Sequence, residues 1–401
     1  MKFVHVEDFI HPDAGYQVNL LSHLQKEQGH DVSIVTGEME KIPLFLTEFF
    51  GTNDIEKKDQ KFFERTGVKI YRVPLRGFYS GRAIFYKKKL FKVVEELKPD
   101  VVYIHGEDTL MGMQFIWNFN KFNFPIVLDC HMLEMASVNR LRNIFRFFFR
   151  TFITPKITKY NIPLIRVVDT DYVQKYYGIP LIKTAFLPLG TNTAFFKPDA
   201  ERKNILRKMN NIEQDVFAIL YAGKLDESKG GLFFAEAIKE KLIPHNRNDV
   251  IFIIIGNTVG NYGKEVEEKF SQSSNKIIRL PTQTYHNLLD FYQIADLSIF
   301  PRQCSLSFFE AQACGLPVIF EENEMNNQRS SFNNAFTFIP GDANDFREKI
   351  MNCVNMDMEQ YAIIKQNSRK YVLDNYDYVT IAQKTTELMI DAHKAYHLSA
   401  K

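Results

Sequence analysis

Short apolar segments alternate with longer amphipathic segments along most of the chain. Segments 18–28 and 86–97 repeat apolar residues every three or four positions, which is typical of helices. The apolar, β-rich runs of the first half fall at 3–6, 32–35, 68–73, 101–104, 126–129 and 164–168. Continuously apolar strands joined by helices form parallel sheets that are covered on both faces. The pattern therefore predicts a doubly wound α/β domain.

The same pattern begins again after Pro198. Its predicted strands are 216–221, 250–255, 277–280, 297–300 and 318–320. The turn-rich segment 191–199 is the predicted linker, and 401 residues suit two domains. The expected units are a Rossmann-like domain over 1–195, a second Rossmann-like domain over 196–376, and a C-terminal helix within 377–401 that returns to the first domain. Two such domains are expected to face each other across a cleft, with ligands beyond the carboxyl ends of the strands.

Composition narrows the class of protein. Hydrophobic residues make up 45% and charged residues 24%, which is typical of a folded enzyme. The net charge of +2 argues against a nucleic-acid partner. The four cysteines lack metal-ligand spacing, the N-terminus enters a strand without a signal-peptide layout, and no apolar run is long enough to span a bilayer. These features predict a cytoplasmic protein with no cofactor.

A first candidate site follows the predicted strand 216–221. Gly223 and Gly230 allow a ligand to approach the backbone, and Lys224 and Lys229 flank the polar loop with two positive charges. One lysine–phosphate pair at 4 Å has a gross attraction of about 4 kcal/mol at an effective dielectric of 20. The loop could therefore bind a diphosphate. Taken alone, the loop is better explained as two solvated lysines between a strand and a helix.

A second candidate site follows the predicted strand 297–300. A polar loop there carries Ser305, Leu306 and Ser307, and Glu310 lies one turn into the helix that Gly315 ends. Loop amides could face phosphate, and the carboxylate could accept hydrogen bonds from paired ribose hydroxyls. The alternative is that Glu310 only complements the positive end of the helix.

Taken together, the two segments resemble the donor site of the retaining GT-B glycosyltransferases, specifically glycosyltransferase family 4. Residues 223–225 and 228–230 correspond to the Gly-Arg-Leu and Glu-Lys-Gly patterns of that family, with Lys224 in place of arginine. Residues 310–318 match the pattern Glu-Ala-x-Ala-x-Gly-x-Pro-Val. The resemblance extends from the N-terminus to about Asp345, and it implies a GT-B fold.

The resemblance also implies a role for each matching residue. Lys224 and Lys229 would hold the diphosphate of a nucleoside-diphosphate sugar and assist its departure, and Glu310 would bind the ribose. The backbone of Ser305, Leu306 and Ser307 would contact the phosphates or the sugar. Gly15 would bring its amide near a donor phosphate, and His131 would lie near the reacting sugar, with a structural histidine as the alternative.

The implied reaction is transfer with retention, without a metal ion, from a UDP-sugar to a hydroxyl of a glycan or lipid-linked acceptor. Surface polysaccharide or glycoconjugate synthesis is the expected context. Two other functions remain open, namely a degenerate GT-B binding or scaffold subunit and a GT-B sugar-nucleotide epimerase.

Two positions depart from the family pattern. Arg302 stands eight residues before Glu310, where the family has a glutamate that contacts the donor sugar. Because arginine binds carboxylates and phosphates in a bidentate manner, Arg302 predicts an extra negative charge on the donor or the acceptor, or sugar contacts made elsewhere. In segment 11–16, Gly15 is a single glycine where the family commonly has two.

Residues 139–159 combine basic and aromatic side chains. The segment contains Arg140, Arg142, Arg146, Arg150, Lys156 and Lys159 among Ile144, Phe145, Phe147, Phe148, Phe149, Phe152 and Ile153. Such a helix can lie in an anionic membrane interface, and 76–92 adds charge from the same domain. The predicted partner is therefore an anionic membrane surface. An amphipathic core helix with a solvated basic face explains the segment equally well.

Overall fold

The computed structural model describes residues 1–42, 54–79, 81–132, 140–245, 247–302 and 307–399. The chain forms two compact units. The first comprises residues 1–189 and 379–401, and the second comprises residues 190–378.

The first unit is built on a parallel sheet of seven strands in the order β3-β2-β1-β6-β7-β8-β9. Its strands are β1 (Lys2–Glu7), β2 (Asp31–Gly37), β3 (Lys69–Val73), β6 (Val101–Ile104), β7 (Ile126–Cys130), β8 (Leu164–Arg166) and β9 (Thr184–Phe186), and an antiparallel hairpin adds β4 (Leu75–Tyr79) and β5 (Arg82–Phe85). Val4, Val6, Ile104 and Leu128 are completely buried in the core. The strand order reverses direction between β1 and β6, so the carboxyl ends of these two strands flank a topological switch point.

Helices surround this sheet. They are α1 (Gln17–Glu27), α2 (Ile55–Thr66), α3 (Lys87–Glu96), α4 (Leu110–Trp117), α5 (Arg142–Phe148) and α6 (Thr154–Lys159), with π-helical turns at Phe149–Ile153 and Val173–Tyr177 and 3₁₀ turns at Met39–Lys41, Phe119–Lys121 and Leu181–Lys183.

The second unit has a parallel sheet of six strands in the order β12-β11-β10-β13-β14-β15. The strands are β10 (Val216–Ala222), β11 (Asp249–Ile255), β12 (Lys276–Leu280), β13 (Leu297–Phe300), β14 (Val318–Glu321) and β15 (Ala335–Phe338). The helices are α7 (Ala200–Met209), α8 (Gly231–Ala237), α9 (Gly260–Ser271), α10 (Leu288–Ile294), α11 (Ser307–Ala313), α12 (Glu324–Arg329), α13 (Ala343–Val354) and α14 (Met358–Asn375), with a 3₁₀ turn at Glu227–Lys229. Its switch point lies between β10 and β13.

The last helix, α15 (Tyr378–Ser399), belongs to the first unit from residue 379 onward. Its Thr386 hydroxyl donates a hydrogen bond to Gln28 Oε1 at 2.7 Å, and the Tyr396 hydroxyl donates one to the carbonyl of Phe122 at 2.7 Å. No described helix combines the length and the apolar content that crossing a bilayer requires.

The doubly wound α/β class is confirmed, and the eleven strands predicted from apolar runs are present with small shifts at their ends. Strands β4, β5, β9 and β15 were not predicted. β9 contains only three residues, none of them buried, so it has no apolar run to detect. In the short hairpin of β4 and β5, only Leu75 of β4 is buried, and partly exposed and buried residues alternate in β5.

Candidate active site

The loop after β10 presents Lys224 and Lys229 at the carboxyl edge of the second sheet. Asp226 shapes this loop, because its carboxylate accepts hydrogen bonds from the backbone N–H of Lys229 at 3.1 Å and from the Ser228 hydroxyl at 2.6 Å. Both lysines are half-buried. Desolvation lowers the pKa of Lys224, and the nearby Asp226 carboxylate partly opposes that effect.

A close backbone contact supports the same loop. The N–H of Gly223 donates to the carbonyl of Ile255 at 3.0 Å, at the end of the adjacent strand β11. Gly256 has a φ of +147°, and a Cβ there would lie 1.8 Å from the carbonyl oxygen of Gly223. Only glycine fits this position, so the start of the lysine loop depends on it.

Arg302, two residues beyond β13, lies against the lysine loop. Its guanidinium donates from Nη1 to the carbonyl of Glu227 at 2.9 Å. A Cβ on Gly230 would be 3.2 Å from the Cβ of Arg302, so the two loops pack closely. Since β10 and β13 are neighbours, the structure brings Lys224, Lys229 and Arg302 to one edge of the sheet. Three positive charges in adjacent loops are suited to a polyanionic ligand.

Glu310 lies in the helix that begins at this edge of the sheet, and the residue is 5% exposed. Its carboxylate accepts a hydrogen bond from the Tyr292 hydroxyl at 2.8 Å. Burial raises the pKa of Glu310 to about 7, although the Tyr292 hydrogen bond acts in the opposite direction. Ser307 anchors the start of the same helix, because its hydroxyl donates to the carbonyl of Ala222 at 3.3 Å. Ser305 and Leu306, also predicted to contact the ligand, lie outside the described residues.

Helices α8 and α11, which begin next to these loops, have seven residues each. The sequence did not indicate the part played by Tyr292, which lies in α10 and eighteen positions before its partner Glu310.

The predicted residues of the first unit lie in two different loops. Gly15 is in the segment between β1 and α1, directly after a turn in which the N–H of Ala14 donates to the carbonyl of His11 at 3.1 Å. His131 follows β7, and its side chain is 39% exposed. Its Nε2 lies 3.1 Å from Oδ1 of the buried Asp129. Asp129 opposes the desolvation of the ring and raises the pKa of His131 to about 9.

Further titratable groups lie at the carboxyl ends of β1 and β6 in the first sheet. Desolvation raises the pKa of Glu7 to about 8 and that of Asp8 to about 6, and it raises the pKa of the fully buried Glu107 well above its ordinary value. Arg82 pairs with Asp108 at 3.0 Å. The sequence analysis missed these groups, although a signal was available in the charged residues that directly follow two apolar strands.

The ligand atoms of His105, Asp129 and His131 lie within 4.8 Å of one another, close enough to share a metal ion. Hydrogen bonds already engage both oxygens of Asp129, however. Oδ1 accepts from the N–H of Gly106 at 2.7 Å and faces His131, whereas Oδ2 faces His105 at 3.1 Å. These hydrogen bonds satisfy both oxygens of the Asp129 carboxylate without a metal ion.

The basic aromatic segment 142–159 is helical throughout the described structure. Its exposed apolar side chains are Ile144 (68%), Phe147 (70%), Phe148 (40%) and Phe152 (47%). Part of the expected membrane-facing set is buried instead. Arg146 lies 3.4 Å from the centre of the Tyr176 ring, and Phe149 and Ile153 pack in the core. The helix therefore has both an exposed apolar set and a set that packs in the core.

Part of the second unit matches a known family. Residues 216–356 match the family described as glycosyl transferases group 1. The chain is also 23% identical, over 312 residues, to the UDP-Gal:alpha-D-GlcNAc-diphosphoundecaprenol alpha-1,3-galactosyltransferase of Escherichia coli, an alignment that covers 75% of this chain and 78% of that enzyme.

Solved structures extend the likeness to the whole chain. A glycosyltransferase from Rickettsia africae ESF-5 superposes with a TM-score of 0.74 at 15% identity, covering 98% of both chains. The Anabaena protein HepE, solved with UDP-glucose, superposes with a TM-score of 0.70 at 16% identity, covering 98% of this chain and all of HepE. The likeness shows the fold, and the prediction of a GT-B fold is confirmed.

Proposed function

We propose that this protein is a retaining glycosyltransferase that transfers a sugar from a UDP-sugar to a hydroxyl of a glycan or lipid-linked acceptor. The observation that carries the proposal is the convergence of Lys224, Lys229 and Arg302 beside the buried Glu310 at one edge of the second sheet. The donor is proposed by analogy with HepE, which was solved with UDP-glucose, and with the Escherichia coli relative, which is named for UDP-Gal.

In this mechanism, the positive charges stabilise the diphosphate as the bond to the sugar breaks. A fixed charge that strengthens its interaction as negative charge develops lowers the barrier, and each 1.36 kcal/mol gives about a tenfold change in rate. The acceptor hydroxyl attacks from the face that the diphosphate leaves, and a donor phosphate oxygen takes its proton. Three cationic side chains supply the charge without a metal ion. Glu310 binds the ribose hydroxyls.

The donor site is tested by thermal unfolding with UDP, GDP and ADP and with their sugars, including UDP-glucose and UDP-glucuronic acid. A ligand at a hundred times its dissociation constant stabilises the folded protein by about 2.7 kcal/mol. We expect a clear rise in melting temperature with uridine ligands, and we expect Lys224→Ala to abolish it. Lys276→Ala is the matched control, because Lys276 begins β12 and therefore lies at the opposite edge of the same sheet.

A folded protein whose melting temperature responds to no nucleotide would contradict the transferase proposal and favour a scaffold subunit. Turnover of a sugar nucleotide without any acceptor would instead favour an epimerase. The same panel tests Arg302, since an arginine that recognises an anionic sugar should favour UDP-glucuronic acid over UDP-glucose. In Arg302→Glu, that preference should be reversed.

We also propose that the protein binds the surface of an anionic membrane through 142–159. This helix presents Ile144, Phe147 and Phe152 to solvent, close to the exposed cations Arg142 and Arg150. Apolar side chains that enter the interface and cations that meet anionic headgroups are the two contributions that such binding requires. The Escherichia coli relative is named for an acceptor linked to diphosphoundecaprenol, and a lipid-linked acceptor here would place the reaction at a membrane.

Vesicle co-sedimentation tests the membrane proposal. Binding to phosphatidylglycerol vesicles should fall about tenfold or more in the variant Ile144→Ser/Phe147→Ser, because each side chain loses part of the 1.5–3 kcal/mol available from burial. Binding should also weaken in high salt. Ile243→Ser, which changes an equally exposed residue of the second unit, should bind normally. Equal binding by all three proteins would refute the assignment to this helix.

A further inference from the structure

Four polar side chains form a continuous hydrogen-bonded row across the first sheet. His5 lies in β1, His105 follows β6, Asp129 lies in β7 and His131 follows it. His5 Nδ1 is 3.0 Å from His105 Nε2, His105 Nδ1 is 3.1 Å from Asp129 Oδ2, and Asp129 Oδ1 is 3.1 Å from His131 Nε2. Because β1, β6 and β7 are consecutive in the sheet, the row follows directly from the strand order.

The row runs from the core to an exposed ring. His5, His105 and Asp129 are at most 2% exposed, whereas the side chain of His131 is 39% exposed. At the inner end, His5 Nε2 lies 2.7 Å from Gln25 Oε1. Burying so many polar groups is costly unless all of them are paired, and apolar residues would pack the same space at lower cost. The row therefore indicates a function at its exposed end.

Donor and acceptor chemistry fixes the orientation of His131. A carboxylate only accepts hydrogen bonds, so His131 presents a protonated Nε2 to Asp129. Nδ1 is then the ring nitrogen that does not face Asp129. Carboxyl groups of three elements lie near this ring, namely Asp129 of β7, Glu7 of β1 and Glu107 after β6. Because the pKa values of Glu7 and Glu107 are raised, these two are largely protonated at neutral pH, and the charge that acts on the ring there is that of Asp129. Against the desolvation of the ring, Asp129 raises the pKa of His131 to about 9, so Nδ1 also carries a proton at neutral pH.

We infer that Asp129, backed by His105 and His5, is a positioning residue that fixes the His131 ring and keeps it cationic, so that Nδ1–H donates a hydrogen bond to an anionic oxygen of a ligand that binds at the carboxyl ends of the strands of the first sheet. That this ligand is a substrate of the transfer reaction rests on the proposed function. One consequence is specific to this arrangement. Below a pH of about 9, His131 already carries both protons, so it is not the group that accepts the proton of the acceptor hydroxyl.

Side-chain NMR of the full-length protein tests the row without any substrate. The His131 ring, assigned by comparison with His131→Gln, should titrate with a pKa of about 9 in the wild type. In Asp129→Asn the pKa should fall towards the ordinary value of about 6.5. Asp108→Asn is the control, since Asp108 is another buried aspartate at this edge and pairs with Arg82, and it should leave the titration unchanged. A wild-type ring that titrates near 6.5 would overturn the inference, even if Asp129→Asn does not fold.

The pH dependence of turnover provides a second readout. With pKa values of about 9 and 6.5, the cationic fraction of His131 at pH 8 is about 30-fold lower in Asp129→Asn, whereas at pH 5.5 the two proteins are nearly equal. The ratio of kcat/KM between wild type and variant should follow that fraction, from about 30 at pH 8 to within twofold at pH 5.5. A loss that is the same at both pH values would mean a merely structural role and would overturn the inference.

Two further outcomes are distinguishable from these. If no nucleotide binds the wild type but His131 still titrates near 9 and responds to Asp129→Asn, the proposed function fails while the positioning role stands. Zn²⁺ should not bind this row in the wild type. Stoichiometric Zn²⁺ binding that is lost in Asp129→Asn would identify His105, Asp129 and His131 as metal ligands and would refute the hydrogen-bonded role.

Discussion

Replacing Gly256 with alanine is expected to lower the free energy of unfolding of the second unit by about 4 kcal/mol and to abolish donor binding. The new Cβ would lie 1.8 Å from the carbonyl oxygen of Gly223, a backbone atom that cannot rotate away, and the φ of +147° is itself unfavourable for an L-residue. Strained backbone and overpacking each cost about 1–3 kcal/mol, which gives the estimate. Relief of the clash must separate the ends of β10 and β11.

That separation also affects the site. The N–H of Gly223 donates to the carbonyl of Ile255, and Lys224 is the next residue, so a shift of Gly223 moves the lysine loop. Unfolding in urea measures the loss of stability, and hydrogen exchange of the amides in 216–223 and 249–255 shows whether it originates at this contact. Gly260→Ala is the matched control, because Gly260 has a φ of +67° but open space around its Cα. It should cost about 1–2 kcal/mol and preserve nucleotide binding, and equal losses in both variants would contradict the proposed contact.

The architecture was predictable because the central strands can be recognised from local sequence. Runs such as 250–255 are apolar on every residue, and central strands such as β1, β10 and β11 are buried on both faces, so period and length identify them without knowledge of their neighbours. The hairpin of β4 and β5 and the three-residue strand β9 lack such runs. They depend on contacts made after the main sheet has formed, so local sequence did not reveal them.

The candidate residues of the two units differ in the same way. Lys224, Lys229 and Glu310 were predicted because each lies in a short motif at the end of a strand, where both the chemistry and the location can be read from nearby residues. The row behind His131 was missed because His5 and His105 are a hundred positions apart and meet only when β1 and β6 pair. Strand order, rather than residue type, creates that row.

The burial of single residues in the helix of 142–159 was also not predicted. Composition gave the correct element but assigned no residue to a side. In the structure, Arg146 packs against Tyr176, whereas the uncharged Phe147 is exposed. Which side chain is buried depends on neighbours from elsewhere in the chain, such as Tyr176, and not on residue type alone.

Donor affinity is expected to depend strongly on pH through Glu310. If the carboxylate must be ionised to accept hydrogen bonds from ribose hydroxyls, its pKa of about 7 leaves about 1% of the protein competent at pH 5 and about 90% at pH 8. The dissociation constant of UDP-glucose should therefore rise about 100-fold between pH 8 and pH 5. Isothermal titration calorimetry with UDP-glucose is a suitable measurement, because its diphosphate does not titrate in this range.

Glu310→Gln is the isosteric control, and it should bind weakly but with little dependence on pH. Tyr292→Phe removes a hydrogen bond to the carboxylate, so the pKa of Glu310 should rise and the midpoint of the binding curve should move to higher pH. An unchanged midpoint in Tyr292→Phe, or a 100-fold pH dependence that persists in Glu310→Gln, would exclude Glu310 as the titrating group.

The raised pKa of Glu310 has the opposite effect on the stability of the folded protein, which should be greater at low pH. A carboxyl whose pKa is raised by folding favours the folded state when protonated, so its contribution is fully present below about pH 4.5 and is lost as the pH rises through about 7. At pH 8, the buried charge costs about 3 kcal/mol by this linkage. Glu310→Gln should therefore unfold at a higher urea concentration than the wild type at pH 8, with little difference at pH 4.5. A gain in stability together with a loss of donor affinity is the combination expected of a residue kept for binding, whereas loss of both would mean that Glu310 is part of the core.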